Sequence, residues 1–138
     1  MNFTSLVLDA STTLNFTMPD EQNARAYAVR KLVESHIPLY VPKHWLTEVT
    51  NGLLMAERQK RITAVQVEEI LTLLTQHLSL QKNESAHNII KALTLARRHQ
   101  LTIYDAAYLE LAIRTDSALA TTDRALLKAA KAERVDIV

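Results

Sequence analysis

The chain has 138 residues, enough for one domain with a real core, and its 48% hydrophobic and 22% charged residues mark it as globular rather than disordered. The absence of cysteine excludes disulfide frameworks and thiolate metal sites and accords with a reducing cytoplasm, while the single glycine, Gly52, excludes P-loops and dinucleotide-binding loops. A formal charge of +1 excludes nucleic-acid binding by bulk basicity, so a nucleic-acid partner requires a local basic cluster or a bound cation.

Residues 4–8 read as a short buried strand that ends in Asp9. Pro19 suits the first turn of a helix running to about Glu34, with Ala24, Tyr27, Ala28, Lys31 and Leu32 at helical spacing. The stretch Ile37 to Pro42 reads as a second strand, because its bracketing prolines forbid a helix. Trp45 to about Lys60 is a strong amphipathic helix with Trp45, Leu46, Val49, Leu53 and Ala56 on one face. Thr63 is an N-cap for a helix from Ala64 to Gln76, with Val67, Ile70, Leu71 and Leu74 inward. Leu78-Ser79-Leu80 reads as a brief third strand, and Asn83 or Ser85 caps a helix carrying Ile89, Ile90, Leu93 and Ala96. That helix ends in Arg97-Arg98-His99, where positive charge complements its dipole. Thr102 starts a helix from Ile103 to Arg114, Ala118 to Thr121 is a fourth strand, Arg124 to Glu133 a helix, and Val135 to Val138 a last strand.

Strands alternating with helices predict an α/β class, a three-layer α/β/α sandwich around a mostly parallel five-stranded sheet, spanning residues 1–138 as one domain. In such sheets the carboxyl ends of the strands share one edge, and sites form there. No apolar run reaches the roughly 18 residues of a membrane span, and the N-terminus carries no secretory pattern.

Four acids stand out against this frame. Asp9 closes the first strand and Asp123 follows the fourth, so parallel pairing puts both at the same edge. Glu48 flanks the apolar face of its helix, with Asn51 one turn further on. Asp105 is the third residue of a Thr102-Ile103-Tyr104-Asp105 start, a reciprocal capping box with Asp in place of Glu or Gln. Each has a plain structural role: Asp9 and Asp123 as caps, Asp105 as a box partner, Glu48 as a solvated side chain. Gathered together they repel, since unit charges ~4 Å apart cost about 4 kcal/mol at an effective dielectric of about 20. A divalent cation relieves that cost, and all-oxygen ligation suits Mg²⁺ or Mn²⁺ rather than zinc. Such ions activate water and neutralise a phosphoryl transition state, which points to hydrolysis of a nucleic-acid backbone.

The segments Leu6 to Ser11, Val41 to Leu53, Leu101 to Leu109 and Leu119 to Leu126, in that order, resemble PIN-domain nucleases, and most of all the VapC-type toxins of type II toxin–antitoxin systems. The resemblance implies a metal-dependent endoribonuclease whose motif acids are Asp9, Glu48, Asp105 and Asp123, with Asp9, Asp105 and Asp123 holding metal and Glu48 holding or orienting a water. Ser11 and Thr122 match hydroxyl positions beside that site, and Asn51 a polar position after the helix acid. It further implies an RNA substrate, a homodimer and a VapB-type antitoxin whose tail covers the site.

The remaining signals carry less. The five histidines, His36, His44, His77, His87 and His99, lack ligand spacing and read as surface or helix-end residues. The runs Arg58-Gln59-Lys60-Arg61 and Arg97-Arg98 read as solvated helix ends, and surplus apolar residues on the helices as core or dimer interface. Two other classes compete. One is a non-catalytic interaction domain whose acids only cap helices. The other is a phosphoacceptor receiver domain, which needs a carboxylate after the central third strand where this chain has Gln81-Lys82.

Overall fold

A computed structural model of the chain describes residues 3–77 and 85–138. Three short strands, β1 (Leu6–Leu8), β2 (Leu39–Tyr40) and β3 (Ala118–Ala120), form a parallel sheet in the order β2-β1-β3. The register pairs Leu6 with Leu39 on one side of β1, and Leu8 with Ala120 on the other. Around them run α1 (Ala10–Thr17), α2 (Ala24–Glu34), α3 (Trp45–Arg58), α4 (Ala64–His77), α5 (Ala86–His99), α6 (Ile103–Thr115) and α7 (Arg124–Ala132). The α/β fold with a parallel sheet agrees with the sequence reading. Helix α1 packs against both α2 and α3, α3 packs on α4, and α5 packs on α6, which covers β1 and β3.

Five strands were expected, and among the described residues three form. Leu78-Ser79-Leu80 lies outside those residues. The expected last strand reduces to one parallel bridge between Leu119 and Ile137, held by Leu119 N–H to the Asp136 carbonyl at 2.8 Å and Val138 N–H to the Leu119 carbonyl at 3.1 Å.

The larger correction lies between β1 and β2. Pro19 does not open a helix: it follows α1, and the helix expected from it begins only at Ala24, where Asn23 accepts the Ala26 N–H at 2.8 Å. Helix α1 was not expected because its Thr- and Asn-rich sequence has weak intrinsic helix propensity. It forms because Asp9 caps it, accepting the Thr12 N–H at 2.7 Å, and because Thr13 and Phe16 pack inward; the Thr13 and Thr17 hydroxyls spend their donors on the Asp9 and Thr13 carbonyls, each at 2.8 Å. Met18 is extended, as a residue before proline must be, and α1 stops there. In α2 the inward residues are Ala26 and Val29, and Tyr27 faces solvent.

The other helices begin where their caps dictate. Thr63 and Gln66 bond reciprocally ahead of α4, and Ser85 and Asn88 form a capping box ahead of α5. The core is continuous from Leu6, Val7 and Leu8 through Trp45, Val49 and Leu53 of α3 to Leu109 and Leu111 of α6 and Leu126 of α7. Trp45 is fully buried, and its indole N–H reaches Thr13 Oγ1 at 3.1 Å. One residue therefore seats α3 against the start of α1, just beneath Asp9.

Candidate active site

Asp9 leaves β1 at its carboxyl end, and Asp9 N–H continues the ladder to the Ala120 carbonyl at 3.1 Å. Extending the Leu8–Ala120 register by one residue sets Asp9 beside Thr121. The Asp9 carboxylate is buried and held from three directions. Oδ1 accepts the Thr12 N–H at 2.7 Å and the Ser11 hydroxyl at 3.0 Å, and Oδ2 accepts the Thr121 hydroxyl. Asp9 is thus the N-cap of α1, yet capping takes only one of its oxygens.

The turn after β3 completes this corner. Thr122 Oγ1 lies 3.2 Å from Ser11 Oγ, so the two expected hydroxyl positions meet. Asp123 caps α7 through the Leu126 N–H at 2.8 Å, and its own N–H donates to Thr121 Oγ1 at 3.1 Å. From α2, the Arg25 guanidinium donates to the Thr121 carbonyl and pins the same turn.

Asp105 stands in the first turn of α6. The Thr102 hydroxyl accepts its N–H at 3.1 Å, so Thr102 is the N-cap, but the return bond of the expected box is not among the hydrogen bonds of the described residues. The Asp105 carboxyl is left facing the site. Burial, then the charge of Asp123, then that of Asp9 hold it above the ordinary carboxylate range; the Thr102 hydroxyl and His44 pull the other way.

Glu48 sits in the first turn of α3 and is partly exposed. The buried Tyr108 hydroxyl donates to its Oε1 at 3.1 Å. Burial and the Glu48 charge push the Tyr108 phenol upward, so it remains a donor. His44 Nε2 lies 3.0 Å from the same oxygen but out of line for a hydrogen bond, so that contact is close rather than directional. Asn51, one turn on, is exposed.

The structure therefore brings Asp9, Ser11, Thr122 and Asp123 into one hydrogen-bonded corner, with Asp105 in their electrostatic reach and Glu48 set against Tyr108. Among the described residues no three His, Asp or Glu side chains converge closely enough to hold one ion. The reason is visible at two of the acids: Asp9 and Asp123 each turn an oxygen onto their own helix. The donor chemistry still suits a hard divalent cation, being all oxygen and short of positive charge at Asp105.

Sequence reasoning missed Thr121, Tyr108 and His44. Thr121 was legible from the strand register, which makes it the neighbour of Asp9. His44 was set aside for lack of ligand spacing, yet it stands four residues before Glu48, the spacing at which helical side chains meet. Of the basic residues singled out in the sequence, Arg61 pairs with Asp20 at 2.7 and 2.9 Å, and His99 and Arg98 close on Glu133 at 2.7 and 2.6 Å.

Comparison with known proteins places this arrangement. The PIN domain family matches residues 6–132. Ribonuclease VapC3 of Pyrobaculum aerophilum is 30% identical over 122 residues, covering 88% of this chain and 91% of that protein. The crystal structure of PAE2754 from Pyrobaculum aerophilum superposes with a TM-score of 0.72 at 20% identity, over 91% of this chain and 84% of that one. VapBC2 from Rickettsia felis, solved with a DNA fragment from its promoter, superposes with a TM-score of 0.66 at 16% identity over 97% of both chains. The chain therefore belongs to the PIN-domain family and is of the VapC type.

Proposed function

We propose that the chain is a Mg²⁺- or Mn²⁺-dependent endoribonuclease and the toxin of a type II toxin–antitoxin pair. The observation that carries this reading is the corner in which the Thr121 hydroxyl ties Asp9 to Asp123 and Ser11 meets Thr122, with Asp105 close enough that their negative charge, after burial, holds its carboxyl above the ordinary range. A site built to attract a cation has this character. Asp9, Asp105 and Asp123 would hold the ion. The bound ion supplies positive charge for a backbone phosphate and makes water more acidic.

The chain's own residues have separable duties. Ser11, Thr12 and Thr121 fix the Asp9 carboxylate in one orientation before any ligand arrives. Tyr108 fixes Glu48, which receives or orients the attacking water. Thr122 and Ser11 bridge the two strand ends, and Asn51 offers a polar group one turn from Glu48. Support for RNA as substrate comes from the relative named Ribonuclease VapC3, and support for a VapB-type antitoxin from the neighbour named VapBC2. The exposed Ile89, Ile90 and Leu93 of α5 and Val65 and Leu73 of α4 supply apolar surface for an antitoxin and a second copy. Among the described residues no helix is long and apolar enough to cross a membrane.

The test is cleavage of total RNA by purified protein with Mn²⁺, with chelator, and as Asp9→Asn. Cleavage should need the metal and vanish in the variant; an Asp9→Asn protein that cleaves as fast as its parent would sink the assignment. The capping-only reading has its own support in the bonds of Asp9 to Thr12 and Asp123 to Leu126. It predicts no rise in Tm on adding Mn²⁺, whereas a metal site predicts a rise that depends on metal concentration.

A further inference from the structure

Three aromatic rings stand in series beside the acids, and none of the duties above uses the outermost. Tyr108 is buried in α6. The His44 ring meets it edge-on, with centroids 5.1 Å apart and planes at 77°. Tyr104 meets the other side of His44, at 5.4 Å and 65°. Tyr104 is 60% exposed, on the first turn of α6, one residue before Asp105. A T-shaped contact occupies at most one face of a ring, so Tyr104 offers an open π-face. That ring rests against His44, which in turn rests against buried Tyr108, and this lowers the entropy lost when something stacks on it.

Resting on the nuclease reading, we propose that Tyr104 is a stacking platform for an unpaired nucleobase of the substrate strand, next to the phosphate addressed by the acids. The chemistry fits one occupant. A single-stranded base presents a flat face that aromatic side chains bind whatever its sequence, whereas the faces of duplex bases are already stacked. The site also needs such a contact. With a chain charge of +1 and acids at its centre, bulk electrostatics does not hold RNA here, and stacking is affinity that needs no positive charge. His44 joins the two parts, since it touches both Tyr104 and Glu48. The same rings that support the platform border the carboxylate that addresses water.

The test uses the full chain in an Asp9→Asn background, which prevents cleavage, and a fluorescein-labelled 15-nucleotide oligoadenylate as probe. Tyr104→Ala should weaken its binding by about 10- to 100-fold. Tyr104→Phe and Tyr104→Trp should bind as the parent or tighter, and Tyr104→Leu, apolar but without a π-face, should bind as poorly as Tyr104→Ala. Tyr104 is exposed, so these variants should keep the parent's Tm. Binding by Tyr104→Ala within twofold of the parent, or rescue by Tyr104→Leu, overturns the platform. A wild-type chain that cleaves RNA while Tyr104→Ala cleaves with unchanged KM overturns the platform alone. A chain that neither binds the probe nor cleaves RNA overturns the nuclease reading with it.

Discussion

Helix α6 carries two acids withdrawn from free solvent, and the fold treats them in opposite ways. Glu110 is 5% exposed, and Arg114, one turn on, grips it with Nε and Nη2 at 2.9 and 3.3 Å, while Asn88 Nδ2 from α5 adds a contact at 3.2 Å. Asp105 has Leu109 at the equivalent position one turn on, and its neighbours Asp123 and Asp9 share its sign, an effect that His44 and the Thr102 hydroxyl offset only in part. The sequence can plainly place an arginine four residues after a buried carboxylate, because it does so once on this helix. Where it withholds the arginine, negative charge accumulates at the carboxyl edge of the sheet. Glu110 is therefore an element of the α5–α6 packing, and Asp105 an element of the site.

The sharpest way to break this comparison is Asp105→Asn. It should abolish RNA cleavage and the Mn²⁺-dependent rise in Tm, yet the metal-free protein should not lose Tm, since the substitution removes a charge that burial and like-charged neighbours disfavour on balance. A fall in metal-free Tm would mean that Asp105 stabilises the helix start as a box partner, and the contrast with Glu110 would collapse.

Arg114→Met should act in the reverse sense. Leaving Glu110 buried without its fork costs about 2–3 kcal/mol, less than a fully enclosed pair because Arg114 is itself 28% exposed. For a chain of this size that is a fall in Tm of roughly 8 °C. Arg114→Lys should recover only part, because a point charge does not match both carboxylate oxygens. Cleavage per folded molecule should stay unchanged in both, and thermal melts alongside an RNA assay check this.

The same contrast explains what was legible in the sequence. Hydrophobic periodicity and capping residues located α3, α4, α5, α6 and α7, because each has a long apolar face or a strong cap. Helix α1 was hidden, since Thr13 and Thr17 look like loop or strand residues until their hydroxyls are seen bonding the backbone. The acids were visible as residue types at strand ends, and strand parallelism brought Asp9 and Asp123 to one edge. Their partners were less visible. Thr121 becomes the mate of Asp9 only through a register fixed by three-residue strands, and Tyr108 meets Glu48 across a helix–helix contact that one sequence does not encode. Among the described residues no three acids converge on one point, and Asp9 and Asp123 each commit one oxygen to a helix N-terminus, which the sequence showed only as capping potential.

Asp9 is an intermediate case, a buried acid held by neutral donors. Thr121→Val keeps the shape of a fully buried side chain but strips Asp9 Oδ2 of its donor and the Asp123 N–H of its acceptor. The expected cost is about 1–2 kcal/mol, measured by denaturant unfolding, with weaker Mn²⁺ binding as the turn carrying Asp123 loosens. Thr121→Ser, which retains the hydroxyl, should restore the metal response. If Thr121→Val binds Mn²⁺ as its parent does, the hydroxyl serves only the packing of β3.

The smallest effect is the most specific to Asp105, and it is a slope. Its carboxyl is raised in the folded state above the value it takes in the unfolded chain. At pH below the ordinary carboxylate value both states hold the proton, and Asp105 contributes no pH dependence. Between that value and the raised one, the folded state keeps a proton the unfolded state has released, so the free energy of unfolding falls as pH rises. Above the raised value the loss is complete and the curve flattens. Asp20, held down by Arg61, and Glu133, held down by His99 and Arg98, contribute the opposite slope. Their stability is lost as pH falls through values below the ordinary range, so the two windows separate. Denaturant melts of metal-free wild type and Asp105→Asn across mildly acidic pH should therefore diverge, with the wild type losing relative stability as pH increases. Adding Mn²⁺ should close the gap progressively at higher pH, because the ion competes with the proton for the same carboxyl. Parallel curves for the two proteins would place the uncompensated charge on another residue.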